Sequence, residues 1–275
     1  MPNKLRSLLR RQSAAIMGIV NTTPDSFSDG GQFSNTDSAL RYCLELVAQG
    51  ADILDIGGES TRPGAEQVPL QQELDRVLPV IEKVKSETDT PISIDTYKPK
   101  VMQAAVAAGA SMINDINGLR EQGAIEVVAK MNVPVCIMHM LGAPKTMQDE
   151  PRYDNVIDDV IRFLSAQINA CQLQGIALDN IVVDPGIGFG KSLEHNLQLL
   201  NNISQIREAL SCEVLIGVSR KSMIDKMLGR QVDQRLAASI GLAVQSVLNG
   251  AKIIRVHDIR QSFDAIRSVE AVQFS

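Results

Sequence analysis

Eight polar positions or clusters recur along this 275-residue chain in a way that could bring them to one place: Asn21, Glu59 with Thr61 and Arg62, Asp95, Asn114, His139, Asp184, Ser219 with Lys221, and Arg255 with His257. Asp95, Asn114 and Asp184 supply two carboxylates and an amide. In a concave, low-dielectric site that set suits a flat heterocycle with adjacent ring N–H and amino groups, because one carboxylate accepts two parallel hydrogen bonds. The competing role for an Asp or Asn at a strand end is to cap the next helix; three of them at one mouth favour a ligand. Lys221, Arg255 and His257 supply the opposite charge, and an Arg fork beside an imidazole suits an anion with several oxygens, such as pyrophosphate. Their competing roles are a solvated first-turn lysine and an arginine salt bridge in the mouth. His139 lies between Met138 and Met140, which leaves a hydrogen-bonded core histidine and a ligand contact both open. His195 falls on a helix surface and receives no role. After Asp184 come Pro185, three glycines and Phe189, which permit close backbone approach to a ligand and offer it a ring face. The spacing is not that of a dinucleotide fingerprint, and no P-loop is present.

Each polar position closes an apolar run rich in Val, Ile, Leu or Met. The runs cover 14–21, 53–58, 91–96, 112–116, 134–139, 181–186, 214–219 and 253–258. They read as strands buried on both faces of a parallel sheet. Amphipathic helices separate them. Leu40, Cys43, Leu44 and Val47 follow helical spacing, with polar Asn35–Asp37 as the start signal and Gly50 as the stop. Leu74, Val77, Leu78 and Ile81 mark a second helix, with a kink expected at Pro79. Val156, Val160, Phe163, Leu164 and Cys171 mark a third, ending at Gly175. A fourth carries Leu236, Ile240, Val244, Val247 and Leu248, with Asp233 as its expected cap and Gly250 as its end.

Strands alternating with helices over the full length require right-handed crossovers, and eight such units fit a closed (β/α)8 TIM barrel better than an open sheet. The catalytic face of such a barrel lies at the C-terminal strand ends, where loops after strands seven and eight commonly bind phosphate. Alternation puts Arg255 and His257 on one side of strand eight and Val256 against the helices. No linker divides the chain, so residues 1–275 read as one domain, with 1–13 a short extension expected to cover the barrel floor. The long segments 21–36 and 57–69 leave the catalytic end and read as lids or binding loops.

A net charge of −5 gives no general attraction to nucleic acid or anionic membranes. No apolar stretch approaches the roughly 20 residues of a membrane span, and no signal-peptide core precedes the first strand. The four cysteines form no C-x-x-C pair and read as small core residues, with reduced thiols and a cytoplasmic location as the expectation. Three scattered histidines do not make a His-rich metal site.

Seven segments, in order, carry a resemblance: MGIVNTTPDSFSDGG at 17–31, DIGGESTRPGA at 55–65, IDTYKP at 94–99, INDING at 113–118, DPGIGFGK at 184–191, GVSRKSM at 217–223 and RVHD at 255–258. Together they resemble the dihydropteroate synthases, pterin-binding TIM barrels that sulfonamides inhibit. The resemblance implies that para-aminobenzoate displaces pyrophosphate from 6-hydroxymethyl-7,8-dihydropterin pyrophosphate, giving 7,8-dihydropteroate, through a pterin cation formed as pyrophosphate leaves. It implies that Asp95, Asn114, Asp184 and Lys221 hold the pterin and that Arg255 and His257 hold the pyrophosphate. Thr61, Arg62, Pro63, Phe189, Lys221 and Ser222 would line the aminobenzoate pocket. Asn21 would touch Mg²⁺, a cation that takes few protein ligands beside waters and phosphate oxygens. Catalysis would fall on Asp95, Asp184, Lys221 and Arg255, and family members are commonly homodimers, with 233–249 a candidate contact. Three other readings share parts of this pattern. A pterin-binding methyltransferase would not need the cationic set and usually works with a corrinoid partner domain. A Schiff-base aldolase would use Lys221, and a catalytically inactive homologue would keep the pterin pocket for binding alone. Pyrophosphate release that depends on both substrates separates all three from the synthase.

Overall fold

Period-two alternation along each apolar run sorts its side chains into two layers, and a closed barrel is the arrangement that buries both. The computed structural model describes residues 4–22, 32–60, 65–142, 147 and 150–275, with backbone alone for 32–35. Its strands are β1 (Ala15–Asn21), β2 (Ile53–Gly57), β3 (Ile92–Asp95), β4 (Met112–Asp115), β5 (Val135–Met138), β6 (Ile181–Asp184), β7 (Glu213–Ile216) and β8 (Ile253–Val256). They pair in sequence order, all parallel, and β8 closes on β1. Ala15, Met17, Ile53, Met112, Cys136, Val182, Leu215 and Ile253 meet inside the barrel. Their neighbours Ile16, Leu54, Ile113, Val135, Val183, Val214 and Ile254 face outward and pack with the helices. One inward position further along the strands the residues change character, to Asp55, Asp95, Asn114, Asp184 and Arg255.

The outer ring comprises α2 (Gln32–Ala48), α3 (Leu70–Glu87), α4 (Pro99–Ala108), α5 (Ala124–Met131), α6 (Val156–Leu173), α7 (Leu193–Asn201), α8 (Ile203–Leu210), α9 (Ser222–Leu228), α10 (Leu236–Leu248) and α11 (Ile259–Gln273). Two sequence expectations about helix starts are corrected. Helix α2 begins at Gln32, so Asn35–Asp37 lies within it rather than before it. Asp233 belongs to a separate 3-10 turn, Val232–Gln234, and α10 starts after Arg235 with no side-chain cap. The apolar stripe located both helices but not their first turns, which tertiary packing can move by several residues. Helix α3 is continuous through Pro79, with Val77, Val80, Ile81 and Val84 buried on either side of it.

A further helix, α1 (Lys4–Arg10), closes the end of the barrel opposite the polar layer. Leu5 and Leu9 enter the interior apolar cluster, and Leu8 packs beside them. The chain that follows is tied down by polar contacts: Asp52 accepts two hydrogen bonds from Arg11 at 2.8 and 2.5 Å, and Glu270 accepts the Ala14 N–H at 2.6 Å. Only one mouth is therefore left for a ligand. Leu5→Ala should open a cavity in this plug and lower the unfolding free energy by about 2–5 kcal/mol. Urea denaturation would measure it, with exposed Ser7→Ala as the control expected to change nothing.

Candidate active site

Arg255 rises from β8 into the polar layer and joins two carboxylates from neighbouring strands. Its Nε donates to Asp55 Oδ2 at 2.6 Å and its Nη2 to Asp95 Oδ2 at 2.7 Å. Asn114 Nδ2 donates to the same Asp55 oxygen at 3.1 Å. Asp55 was not singled out by sequence reasoning, although one signal was available: an aspartate at an inward position of a strand otherwise made of Ile, Leu and Gly. Burial pushes the Asp95 carboxyl up to about 7, with the Arg255 guanidinium opposing the rise. Burial would lower the pKa of Arg255, but Asp55 and Asp95 more than offset it, so the guanidinium stays charged. Among the described residues, Asp55 Oδ1, Asp95 Oδ1 and Ser93 Oγ are buried without a partner. Such atoms are costly unless a ligand or water satisfies them.

The opposite wall is built on β6 and β7. Asp184 Oδ1 accepts the Gly186 N–H at 2.7 Å, and burial raises its pKa against the pull of Lys221. Lys221 stands just before α9, where its Nζ donates to the Ile187 carbonyl and lies 4.7 Å from the centre of the Phe189 ring. Burial lowers its pKa to about 8, partly offset by Asp184. Gly217 lies close to both cations, since a Cβ there would be in ordinary contact with Arg255 Cβ at 3.8 Å and Lys221 Nζ at 4.0 Å. Ser222, exposed, opens α9 beside Lys221. His257 is oriented by Ser219: its Nδ1 lies 3.0 Å from Ser219 Oγ, which also accepts the His257 N–H at 3.2 Å. An apolar shelf of Ile116, Met138, Met140 and Met147, packed with Tyr97 and Phe189, completes the rim. Ionic groups on one side and an apolar shelf on the other fit a flat polar ring joined to an anion.

Asn21 ends β1 in register with Gly57 of β2, which is in register with Asp95 of β3, so Asn21 and Asp95 stand at the same level of the barrel on either side of a glycine. An amide oxygen there suits a divalent cation whose other ligands are waters and phosphate oxygens. The described residues hold no cluster of three His, Cys, Asp or Glu side chains that could serve as a fuller cage. Thr61, Arg62 and Pro63 lie outside the described residues, as does most of 21–36. The roots of the loop bearing Thr61 are described. Glu59 Oε2 accepts the Val68 N–H at 3.0 Å and an ion pair from Lys98, while Glu59 Oε1 accepts the Tyr97 hydroxyl at 3.1 Å. Lys98 also pairs with Glu73 Oε2 at 2.5 Å, and Thr96 Oγ1 donates to Glu73 Oε1 at 2.7 Å.

For His139, the two open readings resolve toward a packed, bonded group. Its Nδ1 is 2.9 Å from Lys191 Nζ, and its ring meets Phe163 edge-on at 5.0 Å. His195 has a local role that the sequence reading did not assign: it forms a capping box with Ser192 at the start of α7. Lys98→Met should leave Glu73, 1% exposed, as a buried charge without its cation. The expected cost is about 3 kcal/mol of stability, read by urea unfolding, with Lys98→Arg retaining most of it.

Residues 17–257 match the family described as pterin binding enzyme. The dihydropteroate synthase of Haemophilus influenzae is 48% identical over 256 residues, 93% of this chain and 93% of that protein. A Yersinia pestis dihydropteroate synthase structure, in complex with a sulfonamide drug, superposes with a TM-score of 0.91 at 46% identity, covering 96% of this chain and 95% of that one. The Xanthomonas albilineans dihydropteroate synthase in complex with 7,8-dihydropteroate gives a TM-score of 0.87 at 45% identity, over 95% and 94% of the two chains. No helix among the described residues is long and apolar enough to cross a membrane.

Proposed function

We propose a reaction from one premise: the chain belongs to the dihydropteroate synthase family of pterin-binding enzymes. It joins 6-hydroxymethyl-7,8-dihydropterin pyrophosphate to para-aminobenzoate, releasing pyrophosphate and 7,8-dihydropteroate, a step of folate biosynthesis. The observation that carries this reading is a single barrel mouth in which Asp95, Asn114 and Asp184 stand with Lys221, Arg255 and His257.

The carboxylates of Asp95 and Asp184, with the Asn114 amide, would accept hydrogen bonds from the pterin's ring N–H and amino groups. The bond from the pterin methylene carbon to the diphosphate oxygen breaks, and its electron pair leaves with that oxygen. The carboxylates stabilise the resulting ring cation, while Arg255 and His257 stabilise the leaving diphosphate. Two of the five guanidinium N–H donors of Arg255 are used in its bonds to Asp55 and Asp95, which leaves three for diphosphate oxygens. Mg²⁺, held through Asn21, would add charge neutralisation on those same oxygens. The aminobenzoate nitrogen then attacks the methylene carbon and loses a proton; an arylamine needs no strong base to meet a cation. We place aminobenzoate against Phe189, in the pocket that the family resemblance assigns to Lys221, Ser222, Thr61, Arg62 and Pro63, and sulfonamides in the same pocket. Leu228 on α9, Val232 in the 3-10 turn after it, and Leu236 and Leu248 on α10 are exposed by 56%, 57%, 37% and 43%. These exposed apolar residues would contribute to a homodimer contact, so sedimentation should give twice the chain's mass, and Leu236→Glu with Leu248→Glu should give the chain's mass alone.

The purified protein should form dihydropteroate, with an equal amount of pyrophosphate, from the two substrates together, and chelation of Mg²⁺ should slow it. No dihydropteroate from the two substrates would overturn the reading. Asp184→Asn should retain the fold by circular dichroism and lose about a hundredfold or more in kcat/KM.

A further inference from the structure

Lys191 is the bulkiest side chain sealed inside the described protein, 1% exposed, and the reaction above gives it no part. It closes the loop that follows β6. From there its ammonium reaches the end of β5, 2.9 Å from His139 Nδ1, 3.0 Å from the Phe189 carbonyl oxygen and 3.5 Å from that of His139. The two segments it joins meet backbone to backbone. A Cβ on Gly186, whose φ is +72°, would fall 1.9 Å from the His139 oxygen; one on Gly190, φ +64°, would fall 2.6 Å from the Leu141 oxygen. Tyr153 adds a hydrogen bond from its hydroxyl to the Gly190 carbonyl at 2.8 Å. On its other side the same loop carries three parts of the site: the Gly186 N–H on Asp184, the Ile187 carbonyl under Lys221, and the Phe189 ring.

We propose that Lys191 and His139 form a positioning pair that fixes the β6 loop, and through it the Phe189 ring and Lys221, for the aminobenzoate half of the reaction. This rests on the reading above, which puts aminobenzoate against Phe189. An ammonium has three donors and no acceptor, so two carbonyl oxygens and one imidazole nitrogen complete its needs. The imidazole must then be neutral with its proton on Nε2. Burial, with the charges of Lys191 and Arg120, pushes His139 down to about 3 and holds it in that form. Burial likewise lowers Lys191 to about 7, with Asp184 opposing and Lys221 assisting the fall. The pterin edge depends less on this loop, because Asp95 and Asn114 stand on strands already cross-linked through Arg255 and Asp55, and Asp184, although it accepts the loop's Gly186 N–H, is the last residue of β6 and takes its place from the strand.

Steady-state kinetics on Lys191→Met, His139→Leu and His139→Asn test the pair. Lys191→Met and His139→Leu should each raise KM for aminobenzoate about tenfold, with kcat and KM for the pterin pyrophosphate within about twofold of wild type. The double variant should be no worse than either single one. His139→Asn, whose amide oxygen can take the place of Nδ1 as acceptor, should restore a near-normal KM. A folded Lys191→Met with an unchanged KM for aminobenzoate would overturn the proposal. So would an equal decline in every constant, as expected from general loosening, or His139→Asn behaving like His139→Leu. If Lys191→Met does not fold, the two His139 variants decide the question by the same criteria. A wild-type protein that makes no dihydropteroate would overturn the reaction itself and the proposal with it.

Discussion

A half-buried guanidinium between two buried carboxylates is tolerable because each charge offsets the desolvation of the others, and Arg255 holds that place between Asp55 and Asp95. Without it, two carboxylates on adjacent strands would face each other in a low-dielectric barrel, and protonation would be the remaining way to keep them there. Asn114 joins the same cluster through Asp55, so strands β2, β3, β4 and β8 are cross-linked at one level by side chains. Among the described residues, one oxygen of each carboxylate is still buried and unpartnered. A site of this kind is rigid in shape and unsatisfied in hydrogen bonding, which favours a donor-rich ring over water.

The strands and the loops divide the chemistry between them. Asp95, Asn114 and Asp184, assigned to the pterin, stand on strand ends, where the hydrogen-bond ladder sets their direction. Groups assigned to aminobenzoate, Phe189 and Lys221 among them, stand mainly on loops, which need their own fastening. Two fastenings are visible, and both use a lysine against acceptors from more than one segment. Lys98 ties Glu59 to Glu73 at the root of the second loop, and Lys191 ties the sixth loop to His139. The floor differs in kind: Leu5 and Leu9 fill it with apolar volume, so stability is concentrated at one end and polar function at the other.

Much of this was legible in the chain. The apolar runs located all eight strands because burial on both faces demands a continuous stretch of Val, Ile, Leu and Met. Asp95, Asn114 and Asp184 could be chosen because a polar residue closing such a run has little reason to be there except a ligand or a cap. Asp55 was missed because it sits in the middle of β2, with apolar Ile56 and two glycines after it, so it does not mark the end of its run. Lys191 was missed because a lysine among loop glycines reads as solvated, whereas the fold seals it. His195 was set aside as a surface residue, and its capping bond could be recognised only once the first turn of α7 was placed.

Local pattern alone therefore determined the order of elements, the inward and outward faces, and which end of the barrel carries charge, since each depends on residues a few positions apart. Tertiary closure decided the partners. Arg255 meets Asp55 across 200 residues of chain, and Lys191 meets His139 across 52. Such pairings follow from strand register and barrel curvature, which no short stretch of sequence encodes.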